Sequence, residues 1–82
     1  MTVSVSPSGT IELRGACPVD DAERILQHLL AAPQAVVDWR SCESAHTAVI
    51  QVLLVAKSIP LGPPMNQFLR DYVEPQLARA AR

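Results

Sequence analysis

The chain has few of the residues that advertise chemistry. One Trp, one Tyr and one Phe leave little for nucleobases to stack on, and the seven Lys and Arg side chains form no run in a sequence of formal net charge −1. Nucleic acid is therefore not an expected partner. Two cysteines, Cys17 and Cys42, make neither a disulfide framework nor a CxxC site. Glycine is equally scarce, at three residues. No Gly-rich phosphate loop, Ser-His-Asp order or pair of catalytic carboxylates stands out. Catalysis is not expected, and neither is a cofactor. The longest apolar run, Val52 to Ala56, is far short of the roughly 20 residues of a membrane helix. The first residues lack the basic region and apolar stretch of a secretory signal. These absences predict a cytoplasmic protein with no membrane partner.

What the chain does have is apolar bulk in a short length. Hydrophobic residues fill 49% of its 82 positions, enough for one packed core and a single domain over residues 1–82. There is no internal repeat and no low-complexity segment. Thr2 to Ser6 and Thr10 to Leu13 alternate polar with apolar or β-branched residues around the turn signal Pro7-Ser8-Gly9, predicting a hairpin. Asp20 and Glu23 stand at capping-box spacing, with Asp20 in the N-cap place. Val19, Ala22, Leu26, Leu29 and Leu30 recur at helical intervals around them, with Ile25 at the edge of the stripe. This is an amphipathic helix ended by Pro33. Near the C-terminus, Ser58 to Leu61 is a candidate last strand, broken by Gly62-Pro63-Pro64. Met65, Phe68, Leu69, Tyr72 and Val73 give a third helix its apolar face. Pro75 should kink or restart that helix, because its ring clashes with the carbonyl of Asp71.

The centre of the chain is Ala35 to Lys57, AVVDWRSCESAHTAVIQVLLVAK. The run Ala35-Val36-Val37, closed by Asp38, predicts a buried strand. Trp39 to Ser44 predicts a polar loop, and Ala45 to Lys57 a buried helix. Such a join places side chains and helix N–H groups at the carboxyl end of a strand, where open α/β sheets tend to carry function. The stretch resembles the core of the STAS domain, found in sulphate transporters and anti-sigma-factor antagonists. In that family a strand ending in Asp leads, through an Asp-Ser-Ser/Ala-Gly-Leu motif, into a Leu- and Val-rich helix. Asp38 matches the strand-end Asp and Val52-Leu53-Leu54 the helix body. Thr47 falls where antagonist members carry the serine that an anti-sigma kinase phosphorylates. His46 stands where the family usually has Asp, and Val49 where it usually has Gly. The resemblance implies an α/β fold with a mixed sheet of about four strands and about three helices. It also implies a non-enzymatic bacterial signalling domain that binds a regulatory protein, such as a histidine-kinase-like ATPase or a chemosensory partner.

The candidate site follows from both readings. Thr47 is the candidate phosphoacceptor, since a hydroxyl at a helix N-terminus can hold a phosphate on backbone N–H groups. The plain alternative is that Thr47, or Ser44, caps the helix. Ser41, Cys42, Glu43, Ser44 and His46 form the expected partner-binding surface, with His46 otherwise an uncommitted exposed side chain. Trp39 is either a contact anchor or buried against the first helix, and Asp38 a pocket residue or a turn residue. Two rival functions remain open. One is a scaffold that uses the same surface without phosphorylation. The other is a thiol or metal site built from Cys17, Cys42 and His46, which needs more soft ligands than are present.

Overall fold

The computed structural model describes residues 2–81. Its elements run β1 (Val3–Val5), β2 (Ile11–Cys17), α1 (Asp20–Ala31), β3 (Val37–Ala45) and α2 (Thr47–Val55), then a π-helical turn (Leu69–Val73) that continues into α3 (Glu74–Ala80). The predicted hairpin is there: β1 and β2 pair antiparallel, Val3 opposite Leu13 and Val5 opposite Ile11. Gly9 turns the chain between them at φ +89°, a conformation that side chains disfavour. β3 lies parallel to β2, joined to it by the crossover through α1, as parallel neighbours require.

Among the described residues the mixed sheet has three strands, in the order β1-β2-β3, not about four. The segment Ser58 to Leu61 makes a single bridge, Leu61 to Asp38, and forms no strand. Pro60, Pro63 and Pro64 have no N–H to contribute to a ladder. The segment instead guards the open edge of β3. The N–H of Leu61 donates to the carbonyl of Val37 (2.7 Å) and that of Trp39 to the carbonyl of Leu61 (3.1 Å); further on, the N–H of Met65 donates to the carbonyl of Cys42 (3.2 Å). Asn66 extends the guard, its Nδ2 donating to the Glu43 carbonyl at 2.9 Å while its Oδ1 accepts the N–H of Leu69 at 3.1 Å. An edge covered in this way offers little to a foreign strand.

The largest departure from expectation is β3 itself. It continues to Ala45, so Trp39, Arg40, Ser41, Cys42, Glu43 and Ser44 lie in a strand, not a loop. Two irregularities hide this. The pairing steps from Glu12–Asp38 to Arg14–Ser41 and from Gly15–Cys42 to Ala16–Ser44, each time inserting one extra residue on β3. Each bulge shifts the inward-facing set by one place. Val37, Trp39 and Cys42 therefore point into the core, while Arg40, Ser41, Glu43 and Ser44 are exposed, and the two-residue period is lost.

One face of the sheet and the inner sides of the helices make the core, around Trp39, Ile11, Leu13, Ile25, Leu53 and Leu77. The other face is polar and carries the ion pairs Arg14–Glu12 and Arg40–Asp38, both at 2.8 Å. Burying each large aliphatic side chain contributes about 1.5–3 kcal/mol. In α1 the buried stripe is Ala22, Ile25 and Leu29, so Ile25 is central, while Val19, Leu26 and Leu30 are exposed. Asp20 is not the N-cap. Val19 holds that place in helical conformation with no side-chain cap, since the chain already turns at Pro18, whose carbonyl accepts the N–H of Asp21 at 3.1 Å. Asp21 is wholly buried and accepts a hydrogen bond from the Thr2 hydroxyl, fastening the start of the chain to α1.

Expected as a buried helix, α2 buries only Val49 and Leu53; Leu54 and Val55 are exposed. The C-terminal helix likewise buries Leu69, Val73 and Leu77, leaving Met65, Phe68 and Tyr72 outside. The expected restart falls at Pro75: α3 begins at Glu74, with Pro75 in its first turn. The turn before it widens, the N–H of Glu74 reaching back to the carbonyl of Leu69, and this π-turn makes room for the proline ring. No helix among the described residues is long and apolar enough to cross a membrane.

Candidate functional site

The end of β3 meets the start of α2 at His46, which holds the junction from two sides. Its backbone N–H donates to the carbonyl of Cys17, the last residue of β2, at 2.9 Å. Its side chain caps α2, with Nδ1 accepting the N–H of Ala48 at 3.0 Å, and its carbonyl accepts the N–H of Val49 at 2.9 Å. An extended backbone (φ −60°, ψ 148°) is what an N-cap adopts. His46 is thus exposed but committed. Because Nδ1 is the acceptor, the neutral ring carries its proton on Nε2.

This assignment corrects the expectation that Thr47 or Ser44 caps the helix. Thr47 is the first helical residue and is exposed, and its hydroxyl is not the cap. The N–H groups of Ala48 and Val49 are already taken by His46. A phosphate on Thr47 would gain from the positive end of the helix dipole, but would compete with the imidazole for the N–H of Ala48.

The expected partner-binding residues do not all reach one surface. Ser44 and His46 line, with Ala16, Cys17, Pro18 and Ala45, a shallow open cleft of about 360 Å³ beside Thr47. Glu43 is exposed on the last part of β3, over Gly15. Ser41 instead borders a small pit on the polar sheet face with Glu12, Leu13, Arg14 and Asp38. Cys42 is completely buried and its thiol donates to the carbonyl of Ser44 at 3.2 Å. A partner cannot touch it directly. Asp38 borders that pit, but its two oxygens are already engaged, accepting from Nε and Nη2 of Arg40 at 3.0 and 2.8 Å. That paired guanidinium holds the Asp38 carboxyl below the usual carboxylate range. Trp39 is buried rather than exposed, and its partner is Glu74 of α3.

Cys17 and Cys42 are both free and buried on the inner face of adjacent strands. The Cys42 sulfur beside it, and then burial, push the Cys17 thiol well above its ordinary range. The same contact shifts the Cys42 thiol the other way, downward, against the effect of burial; a reactive thiol needs access as well, and Cys42 has none. Among the described residues no three His, Cys, Asp or Glu side chains are grouped to hold a metal ion, so Cys17, Cys42 and His46 do not form a ligand set. Sequence reasoning missed the capping role of His46 and the bracing role of Asn66. Histidine is a rare cap, and nothing near Asn66 marks its contact with a strand more than 20 residues away.

Comparisons with protein-family models, with curated proteins and with solved structures find no match to this chain.

Proposed function

We propose that this protein is a non-enzymatic, cytoplasmic signalling domain of the STAS type that binds a regulatory protein through the junction of β3 and α2. The contact surface comprises Glu43, Ser44, His46 and Thr47, and Thr47 is the phosphoacceptor. The observation that carries this reading is the division of labour at the start of α2: His46 caps the helix and Thr47 beside it is exposed. The β-β-α-β-α order of the first elements agrees with the resemblance in sequence. A kinase-like ATPase fits the role of partner, since it would supply the phosphate and release a surface that has become more negative. Phosphorylation adds nearly two negative charges beside Glu43, enough to weaken docking on an acidic partner without unfolding the domain.

Intact-mass and fragment spectrometry on protein isolated from its native cells tests the modification. A phosphate on Thr47, lost in Thr47→Ala, supports the switch; protein that stays unmodified under several growth conditions overturns it. The scaffold reading uses the same surface and makes a different prediction. There, Thr47→Ala and Thr47→Glu bind the partner equally well, whereas a phosphoswitch separates them by at least about tenfold in Kd.

A further inference from the structure

The two long helices begin in different ways. The first turn of α1 holds Asp20, Asp21 and Glu23, whose charges suit the positive end of a helix, and it has no side-chain cap. α2 has no acidic residue in its first turn and rests on one side-chain cap, the imidazole of His46. That cap is the Nδ1 lone pair, which accepts the N–H of Ala48 at 3.0 Å. The caps that helices usually employ, Ser, Thr, Asn and Asp, keep their acceptor oxygen from about pH 5 to pH 8. An imidazole does not, because near its ordinary value of roughly pH 6.5 a proton takes the same lone pair.

The geometry points to a proton-operated cap: neutral His46 closes the start of α2, and protonated His46 releases the N–H of Ala48 beside Thr47. Two effects act in the same direction. Protonation turns Nδ1 from acceptor into donor, so it meets the N–H of Ala48 donor to donor. It also sets a positive charge at the positive end of the helix. The ring is exposed and free to turn outward. The cleft beside it is lined by Ala16, Cys17 and Pro18 on one side and Ser44 and Ala45 on the other. Of these only the Cys17 thiol titrates, and it keeps its proton well above this range. The neighbouring acids are turned elsewhere. Glu43 lies over Gly15, Asp21 is held by Thr2 and Arg24, and Asp20 lines a cleft along α1 with Glu23 and Arg24. α2 carries no charged residue, and no ion pair among the described residues includes His46.

The movement is local. The backbone of His46 keeps its N–H on the Cys17 carbonyl and its carbonyl on the N–H of Val49, both at 2.9 Å. β2, β3 and α2 therefore stay joined while the first turn of the helix loosens. Because the ring lies on the contact surface proposed above, docking of the regulatory protein becomes pH-dependent. That consequence rests on the proposed reading, whereas the response of the cap to pH does not and needs neither partner nor phosphate.

Nuclear magnetic resonance on the isotope-labelled full chain, between about pH 8 and pH 5, tests the cap directly. At the upper end the ring nitrogens should report a bare Nδ1 and a proton on Nε2. As the ring takes up its second proton, the Ala48 amide should shift along the same curve. Its protection from exchange should fall about fivefold, the worth of one cap. His46→Asn and His46→Asp keep an acceptor throughout this range, so the Ala48 amide should hold still in both. His28→Gln removes the other histidine, in the last turn of α1, and should leave the response in place. An Ala48 amide that stays fixed while the His46 ring titrates overturns the proposal. So does one that still moves in His46→Asn, or that stops moving in His28→Gln.

Discussion

The indole Nε1 of Trp39 donates a hydrogen bond to Oε2 of Glu74 across 3.4 Å, joining the middle of β3 to the first turn of α3. Gly62 closes over this contact. A Cβ at Gly62 would overlap the Glu74 carboxylate and stand 3.0 Å from the indole nitrogen. The carboxylate can swing away, but the indole, wholly buried, cannot.

Gly62→Ala should therefore displace Glu74 and leave a buried N–H without a partner, lowering stability by about 1–3 kcal/mol. Glu74→Gln keeps an acceptor and should cost less than Glu74→Ala. Urea unfolding followed by fluorescence reads this directly, because Trp39 is the only tryptophan. An unchanged midpoint in Gly62→Ala would show that the contact contributes nothing.

The cap on α2 can be tested without a partner. His46→Ala removes the acceptor for the N–H of Ala48 and should destabilise the domain by about 1 kcal/mol. Asn and Asp are among the best N-caps, so His46→Asn and His46→Asp should restore most of that loss. The STAS resemblance places Asp at this position, and an equivalent cap would explain how His46 replaces it. If all three variants unfold at the same urea concentration, the imidazole is not the cap.

The parts of the fold legible in the sequence are those where periodicity ran unbroken. The β1–β2 hairpin has a turn signal between two alternating runs, and α1 and α2 were placed to within two residues at each end. The middle of β3 was not legible, because two inserted residues turn an alternating strand into an apparently polar loop around Trp39 and Cys42. Exposure was also misjudged. Leu54 and Val55 are as apolar as Leu53, and composition cannot say that three strands and a short core leave no cover for the outer half of α2. At the site, the position of Thr47 was readable from spacing, whereas the cap on Ala48 depended on the rotamer of His46 and the burial of Cys42 on the bulge at Glu43.

That uneven burial of α2 gives a sharp contrast. Leu53 is wholly buried and Leu54 is 40% exposed. Leu53→Ala should cost about 2–5 kcal/mol, as truncations inside a packed core do. Leu54→Ala, one residue on, should cost no more than about 0.5 kcal/mol. Equal losses in thermal or urea unfolding would mean that the outer face of α2 is covered in solution.

The buried thiols make a prediction about alkali. The Cys42 sulfur, and then burial, hold the Cys17 proton well above the thiol's ordinary range. In the unfolded chain Cys17 loses that proton near pH 8.5, the usual value. Above that pH the unfolded state binds fewer protons than the folded one, so stability must fall as pH rises, by up to about 1.4 kcal/mol per pH unit for one group. Below pH 8 both states are protonated and the contribution is flat. Stability measured from pH 7 to pH 10.5 should therefore decline from about pH 9. The decline should be shallower when both thiols are removed together (Cys17→Ala with Cys42→Ala), whatever that variant loses at neutral pH, because the contact that raises Cys17 lowers Cys42. Two parallel profiles would show that the two thiols together give up their protons as readily in the fold as outside it.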